Sequence, residues 1–165
     1  MSNTFWKNII KSDSNESSKT MLALKQVPLF AGLTDSELNR LSIIVHHRKF
    51  EVDEFVFQSG TPGLGMYIIL QGEVVLNGIN KGGGKVKLSQ FSFGDSFGEI
   101  SLISDNNRNA NAIAVSTCKL VAFFRSDLLD IITRSPKLGN KILLNLATIL
   151  GKRLVQKNES LINVA

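Results

Sequence analysis

The chain has 165 residues, 43% hydrophobic and 20% charged, with a net charge of +5; this is the profile of one globular domain large enough to bury its own core. No apolar run approaches the ~20 residues a membrane-spanning helix needs. Polar KSDSNESSK also follows FWKNII too soon for a secretory signal, so a cytoplasmic protein is the expectation. A single cysteine, Cys118, excludes an internal disulfide and any multi-cysteine metal site; heading the run CKLVAFF, it reads as a small buried strand residue.

Residues 1–20 read as an appendage. Phe5, Trp6, Ile9 and Ile10 share one helical face, and residues 12–18 read as a flexible link. Such a face either packs back on the domain or docks elsewhere, which makes residues 5–10 a candidate membrane or partner contact. Residues 21–135 are expected to form the main domain. Residues 21–45 read as helical, with Leu38, Leu41, Ile44 and Val45 at helical spacing. Thr34 and Glu37 make a T-x-x-E capping box, and Leu33 and Leu38 are placed as a hydrophobic staple.

From His46 to Arg125 the texture changes. The runs RKFEV, EFVFQ, MYIILQ, EVVLNGI, KVKLSQF, NAIAV and CKLVAFF alternate with glycine-bearing turns. Regular short strands with turn signals point to an antiparallel sandwich, barrel or roll. Gly82, Gly83 and Gly84 are expected to close a hairpin.

Helical texture returns in SDLLDIITRS, with Ser126 as its expected cap and Pro136 as its stop. Residues 136–165 read as one long C-terminal helix. Leu138, Ile142, Leu146, Ile149 and Leu150 form an apolar stripe, widened by Leu143 and Leu154. Lys152, Arg153 and Lys157 suit the negative end of its dipole. So wide a stripe packs on the strands, pairs with a second copy as a homodimer, or does both.

Several chemistries are excluded. GINKGGGKV is not a P-loop, because Ile79 stands where glycine is needed and Val86 where serine or threonine is needed. His46 and His47 are adjacent, so on a strand they point to opposite faces and cannot share the metal of a cupin-like enzyme. No nucleophile–base pairing stands out, and an enzyme is not expected. The Lys and Arg residues are scattered and no helix-turn-helix pattern is present, so direct DNA binding is not expected.

The informative stretch is GDSFGEISLISDNNRNANAIAV, residues 94–115. Ser96 and Glu99 fit an S-x-x-E box opening a short helix. Free N–H groups at its start, with Gly98 allowing close approach, suit an anion. Arg108 follows nine residues after Glu99, and a guanidinium can grip a phosphate through two parallel hydrogen bonds. Backbone donors, one carboxylate and one cation match a cyclic nucleotide, which presents one phosphate and one ribose hydroxyl. The same residues fit a plainer reading, with Glu99 only a cap and Arg108 a solvated loop residue or the ion-pair partner of Glu99.

FGEISLISDNNRNANAIA resembles the phosphate-binding cassette of the cyclic-nucleotide-binding family, F-G-E-[LI]-[AS]-L, a short loop, then R-x-A. That family includes the catabolite activator protein and kinase regulatory subunits. VPLFAGLTDSELNRL is similar to its leading helix and FEVDEFVFQSGTPGLGMYIILQGEVVL to its first hairpins, so the likeness covers about residues 27–155. The resemblance implies a mainly β fold with flanking helices: an antiparallel, double-stranded, jelly-roll-like β-roll with N-terminal helices and a long C-terminal helix. It implies cAMP or cGMP as ligand, no cofactor, and a sensor that passes binding through the C-terminal helix to a protein effector. Glu99 would accept the ribose 2′-hydroxyl and Arg108 would pair with the cyclic phosphate. The backbone N–H groups of Gly98, Ile100, Ser101, Asn109 and Ala110 would complete the ligand contacts. Val86 and Leu88 would support the base, and Lys152 or Arg153 would cover it. The sequence departs from the pattern at Asp53, where glycine is usual, in lacking a proline before Arg108, and at Asn109. In the family the Asn109 position influences the choice between cAMP and cGMP, and asparagine is large enough to crowd the phosphate. The competing reading is an interaction or scaffold protein that keeps the fold without the nucleotide.

Overall fold

Two antiparallel sheets of four strands lie at the centre of the protein, and helices cover one of them. The computed structural model describes residues 16–80 and 83–162. The FWKNII segment, with its expected membrane or partner contact, lies outside the described residues, as do Gly82 and the side chain of Lys157.

The chain enters through helix α1, residues 16–26. Residues 16–18 are therefore helical and not part of a link. The Glu16 carbonyl accepts from Thr20 Oγ1 at 2.9 Å, and its carboxylate lies 3.3 Å from Lys119 Nζ. A 3-10 turn, Pro28–Phe30, leads to α2, Asp35–Ile44. Its capping box is present: Glu37 N–H donates to Thr34 Oγ1 at 3.2 Å and Thr34 N–H to Glu37 Oε2 at 2.8 Å. Lys141 also donates to Glu37, and this bond, with the Thr34 N–H, holds the Glu37 carboxyl below its usual range.

The strands are β1 (His46–Phe50), β2 (Phe55–Phe57), β3 (Gly65–Gln71), β4 (Val74–Ile79), β5 (Lys85–Phe91), β6 (Ser96–Phe97), β7 (Asn111–Ala114) and β8 (Cys118–Phe124). One sheet has the order β1-β8-β3-β6 and the other β2-β7-β4-β5. The β4–β5 hairpin closes from Ile79 opposite Lys85, across the expected glycine turn. Asp53 adopts φ 65° in the β1–β2 turn, a conformation aspartate tolerates better than most residues.

Alternation along β3 and β8 assigns their residues to two cores. Ile69, Cys118 and Leu120 face between the sheets, with Val56, Val74 and Phe97. Ile68, Val121 and Phe123 face the helices, against Leu24, Phe30, Leu41, Leu128 and Ile142. Cys118 is fully buried, and burial pushes its thiol pKa up.

Helix α3 (Arg125–Arg134) follows β8 without a linker. Ser126 is not its cap. The helix is capped two residues earlier, at Phe124, and Asp127 Oδ2 reaches back to accept the Phe124 N–H at 2.8 Å. Helix α4 runs from Pro136 to Ile162. Gly139 permits its close approach to α3, since a Cβ there would stand 2.8 Å from Ile132 Cα. Leu138, Ile142 and Leu146 are buried, but Leu154 is 62% exposed. The stripe thus packs onto the domain over its first part and runs out into solvent beyond. Among the described residues no helix is long and apolar enough to cross a membrane.

Candidate functional site

Arg108 sits where two turns meet. Its N–H donates to Thr61 O at 2.8 Å and its carbonyl accepts the Gly60 N–H at 2.8 Å, which pins the loop before β7 to the turn before β3. The side chain points inward and is buried. Nη2 donates to Gly65 O at 2.6 Å, and Nη1 to Ser101 Oγ at 2.8 Å and Gly98 O at 3.3 Å. Cζ stands 4.1 Å from the centre of the Phe57 ring, a cation–π contact. Among the described residues no carboxylate pairs with this guanidinium, and its buried Nε has no hydrogen-bond partner. Burial pushes the Arg108 pKa down, yet an arginine remains a cation in a protein. Arg108 is therefore neither a solvated loop residue nor the partner of Glu99.

Glu99 opens a 3-10 turn, Glu99–Leu102, and is only 4% exposed. Its cap is Gly98, at φ 84°, and no side chain caps the turn. The expected Ser96–Glu99 box does not form, because Ser96 is taken into β6 opposite Ile68. Leaving β6 for the turn demands a left-handed residue, which glycine supplies without strain. A Cβ on Gly98 would also stand 2.7 Å from Arg108 Nη1. The Glu99 carboxylate pairs with Arg153 Nη1, which α4 brings across. Burial pushes the Arg153 pKa down.

These groups border one cavity of about 640 Å³. Gly98, Glu99, Ile100, Ser101, Arg108 and Asn109 line it on the cassette side, Leu88 on the hairpin side, and Arg153 on the α4 side. Asn109 is exposed at the wall and does not fill the space. Val86, Ala110 and Lys152 are not among the lining. Val86, 41% exposed, lies farther along the hairpin opposite Gly78, and Ala110 is buried where the loop joins β7. The Ser101 N–H is already donated to Gly98 O at 3.1 Å, so Ser101 presents its hydroxyl side to Arg108.

The family model for the cyclic nucleotide-binding domain matches residues 47–135. The chain belongs to the cyclic nucleotide-binding domain family. The Cyclic AMP receptor protein of Thermus thermophilus is 34% identical over 131 residues, 79% of this chain and 59% of that protein. A cAMP-dependent protein kinase regulatory subunit of Colletotrichum orbiculare is 29% identical over 103 residues, 62% of this chain and 26% of that one. The crystal structure of the Thermus thermophilus Catabolite Activator Protein matches with a TM-score of 0.76 and 32% identity, covering 83% of this chain and 62% of that chain. The chain thus spans less than two thirds of the length of each of these relatives.

Sequence reasoning missed much of this cyclic nucleotide-binding domain's cavity. Phe57, Leu76, Phe91 and Phe97 contribute apolar wall. Phe97 stacks on Phe91 at 5.0 Å and on Tyr67 at 5.8 Å between ring centres. Ser89, Ser104, Asn106 and Asn107 also line it. The usable signal was the aromatic at alternate positions of FVF and at the end of KVKLSQF, which only strand pairing turns toward one space.

Proposed function

We propose that this domain binds a cyclic nucleotide monophosphate, cAMP or cGMP, and relays binding through α4 to a protein partner. One observation carries the reading. Arg108 is a buried cation with no carboxylate partner and a free Nε among the described residues, on the wall of a cavity. An unpaired buried charge is costly, and an anion placed there offsets that cost. The cyclic phosphate takes this position, with the N–H groups of Gly98, Ile100 and Asn109 as further donors. Glu99 accepts the ribose 2′-hydroxyl while holding Arg153. Leu88 supports the base, with Val86 at the outer margin. The names of two relatives, a Cyclic AMP receptor protein and a cAMP-dependent kinase regulatory subunit, support the ligand class.

Arg153 ties α4 to the same carboxylate, which supports relay through this helix. The exposed Leu144, Leu154, Val155 and Ile162 on α4 support pairing with a second copy. No chemistry on the ligand and no direct DNA contact are part of the proposal, and a cytoplasmic location fits it.

The test is calorimetry with cAMP and cGMP on protein shown by mass spectrometry to carry no co-purified ligand. Binding of one nucleotide is expected, and Arg108→Ala should weaken it by roughly 2–5 kcal/mol. Unchanged affinity in Arg108→Ala would falsify this site. No heat with either nucleotide at millimolar concentration leaves the scaffold reading in its place.

A further inference from the structure

We propose that Arg125, the first residue of α3, is a positioning residue that couples the anion site to the α3–α4 unit. The inference rests on the reading of Arg108 as the anion-binding cation, and it adds the route by which that cation reaches the helices. Arg125 does not line the cavity. Its Nε donates to Ser101 O at 3.1 Å, its Nη2 to Gly63 O at 2.8 Å, and its Nη1 pairs with Asp105. Its backbone N–H donates to Leu64 O at 2.9 Å.

The two arginines therefore hold the same two segments from opposite sides. Ser101 gives its hydroxyl to Arg108 and its carbonyl to Arg125. The start of β3 gives the Gly65 carbonyl to Arg108 and the turn just before it gives the Gly63 carbonyl to Arg125. There is no slack in the joint. A Cβ on Gly63 would stand 2.2 Å from Ser101 Oγ, so the backbone of the turn packs directly against the Ser101 side chain. An anion that draws Arg108 toward the cavity competes for the Nη1 and Nη2 bonds. Any shift of Ser101 or of the turn is then delivered to the guanidinium that opens α3. Helix α3 passes it on, because Gly139 of α4 is pressed against the Ile132 backbone. A planar fork reaching two carbonyls and a carboxylate is a geometry arginine supplies and lysine does not.

Two measurements decide the matter. In the first, amide hydrogen exchange is followed with and without saturating cAMP, and cGMP in parallel. In the unaltered protein the nucleotide should slow exchange in residues 98–108 and change it in residues 125–150. In Arg125→Gln the cassette response should persist, with affinity within about threefold of the parent, while the α3–α4 response falls by half or more. Arg125→Lys should lie between, and it replaces Arg125→Gln if the latter does not fold. A full α3–α4 response in either variant overturns the proposal. The second measurement needs no ligand: a urea-unfolding cycle of Arg108→Ala, Arg125→Lys and the double variant. Effects that depart from additivity by about threefold or more in the unfolding constant support the shared joint; additive effects overturn it. If the unaltered protein takes up neither nucleotide, the reading of Arg108 fails, and the cycle still decides Arg125.

Discussion

The cassette wall and the hairpin wall of the cavity are built in opposite ways. On the cassette wall Glu99, Ser101 and Arg108 are all buried, and the guanidinium is held by three oxygens before any ligand arrives. On the hairpin wall β5 is an edge strand, and Leu88 is 54% exposed. The charged end of the site is pre-organised and the outer edge of the hairpin, at Leu88, is not. Pre-organisation removes the cost of ordering donors when the ligand binds. In the proposed sensor, affinity is therefore concentrated at the phosphate, and discrimination between bases is left to a few half-exposed contacts, each worth little.

Four substitutions test that contrast. Arg108→Ala should have the largest effect, roughly 2–5 kcal/mol of nucleotide affinity by calorimetry; a loss below that of the hairpin variants would reverse the picture. Gly98→Ala should lower unfolding stability in urea by roughly 1–3 kcal/mol, through the left-handed backbone and the crowding of Arg108. A neutral result would show that the cassette can relax. Glu99→Gln should cost about 1–2 kcal/mol of affinity, since the amide accepts more weakly and leaves Arg153 without its counter-charge. Equal binding by parent and variant would remove Glu99 from the site. Leu88→Ala should cost less than about 1 kcal/mol, because little of its surface is shielded. If titration puts it level with Glu99→Gln, the hairpin wall is tighter than described.

The fold was legible because it rests on patterns that survive without tertiary context. The Thr34–Glu37 box, the glycine hairpin and the alternating strands are local, and each formed where expected. The cassette was legible as a motif, since Gly98, Glu99 and Arg108 stand at recognisable spacing. What failed needed partners distant in sequence. Ser96 reads as a cap until β3 pairs with it. Ser126 reads as a cap until β8 runs straight into α3. Val86 and Leu88 look equivalent on one strand face, and only the position of the cavity separates them. The pairing of Glu99 with Arg153 spans 54 residues, and no local rule selects it over Arg108. Arg125 showed no signal, because two of its acceptors are backbone carbonyls, which every residue has, and its carboxylate partner Asp105 is distant in sequence.

The length of α4 has a mechanical meaning. Its 27 residues extend about 40 Å, and about 35 Å lie beyond Gly139, so a pivot of roughly 10° there would sweep the far tip through about 6 Å. Displacements too small to resolve around a phosphate would become, at Ile162, movements the size of a side chain. In the proposed sensor, a lever arm of this kind would convert a small change at the binding pocket into a coarse output that another protein surface could read.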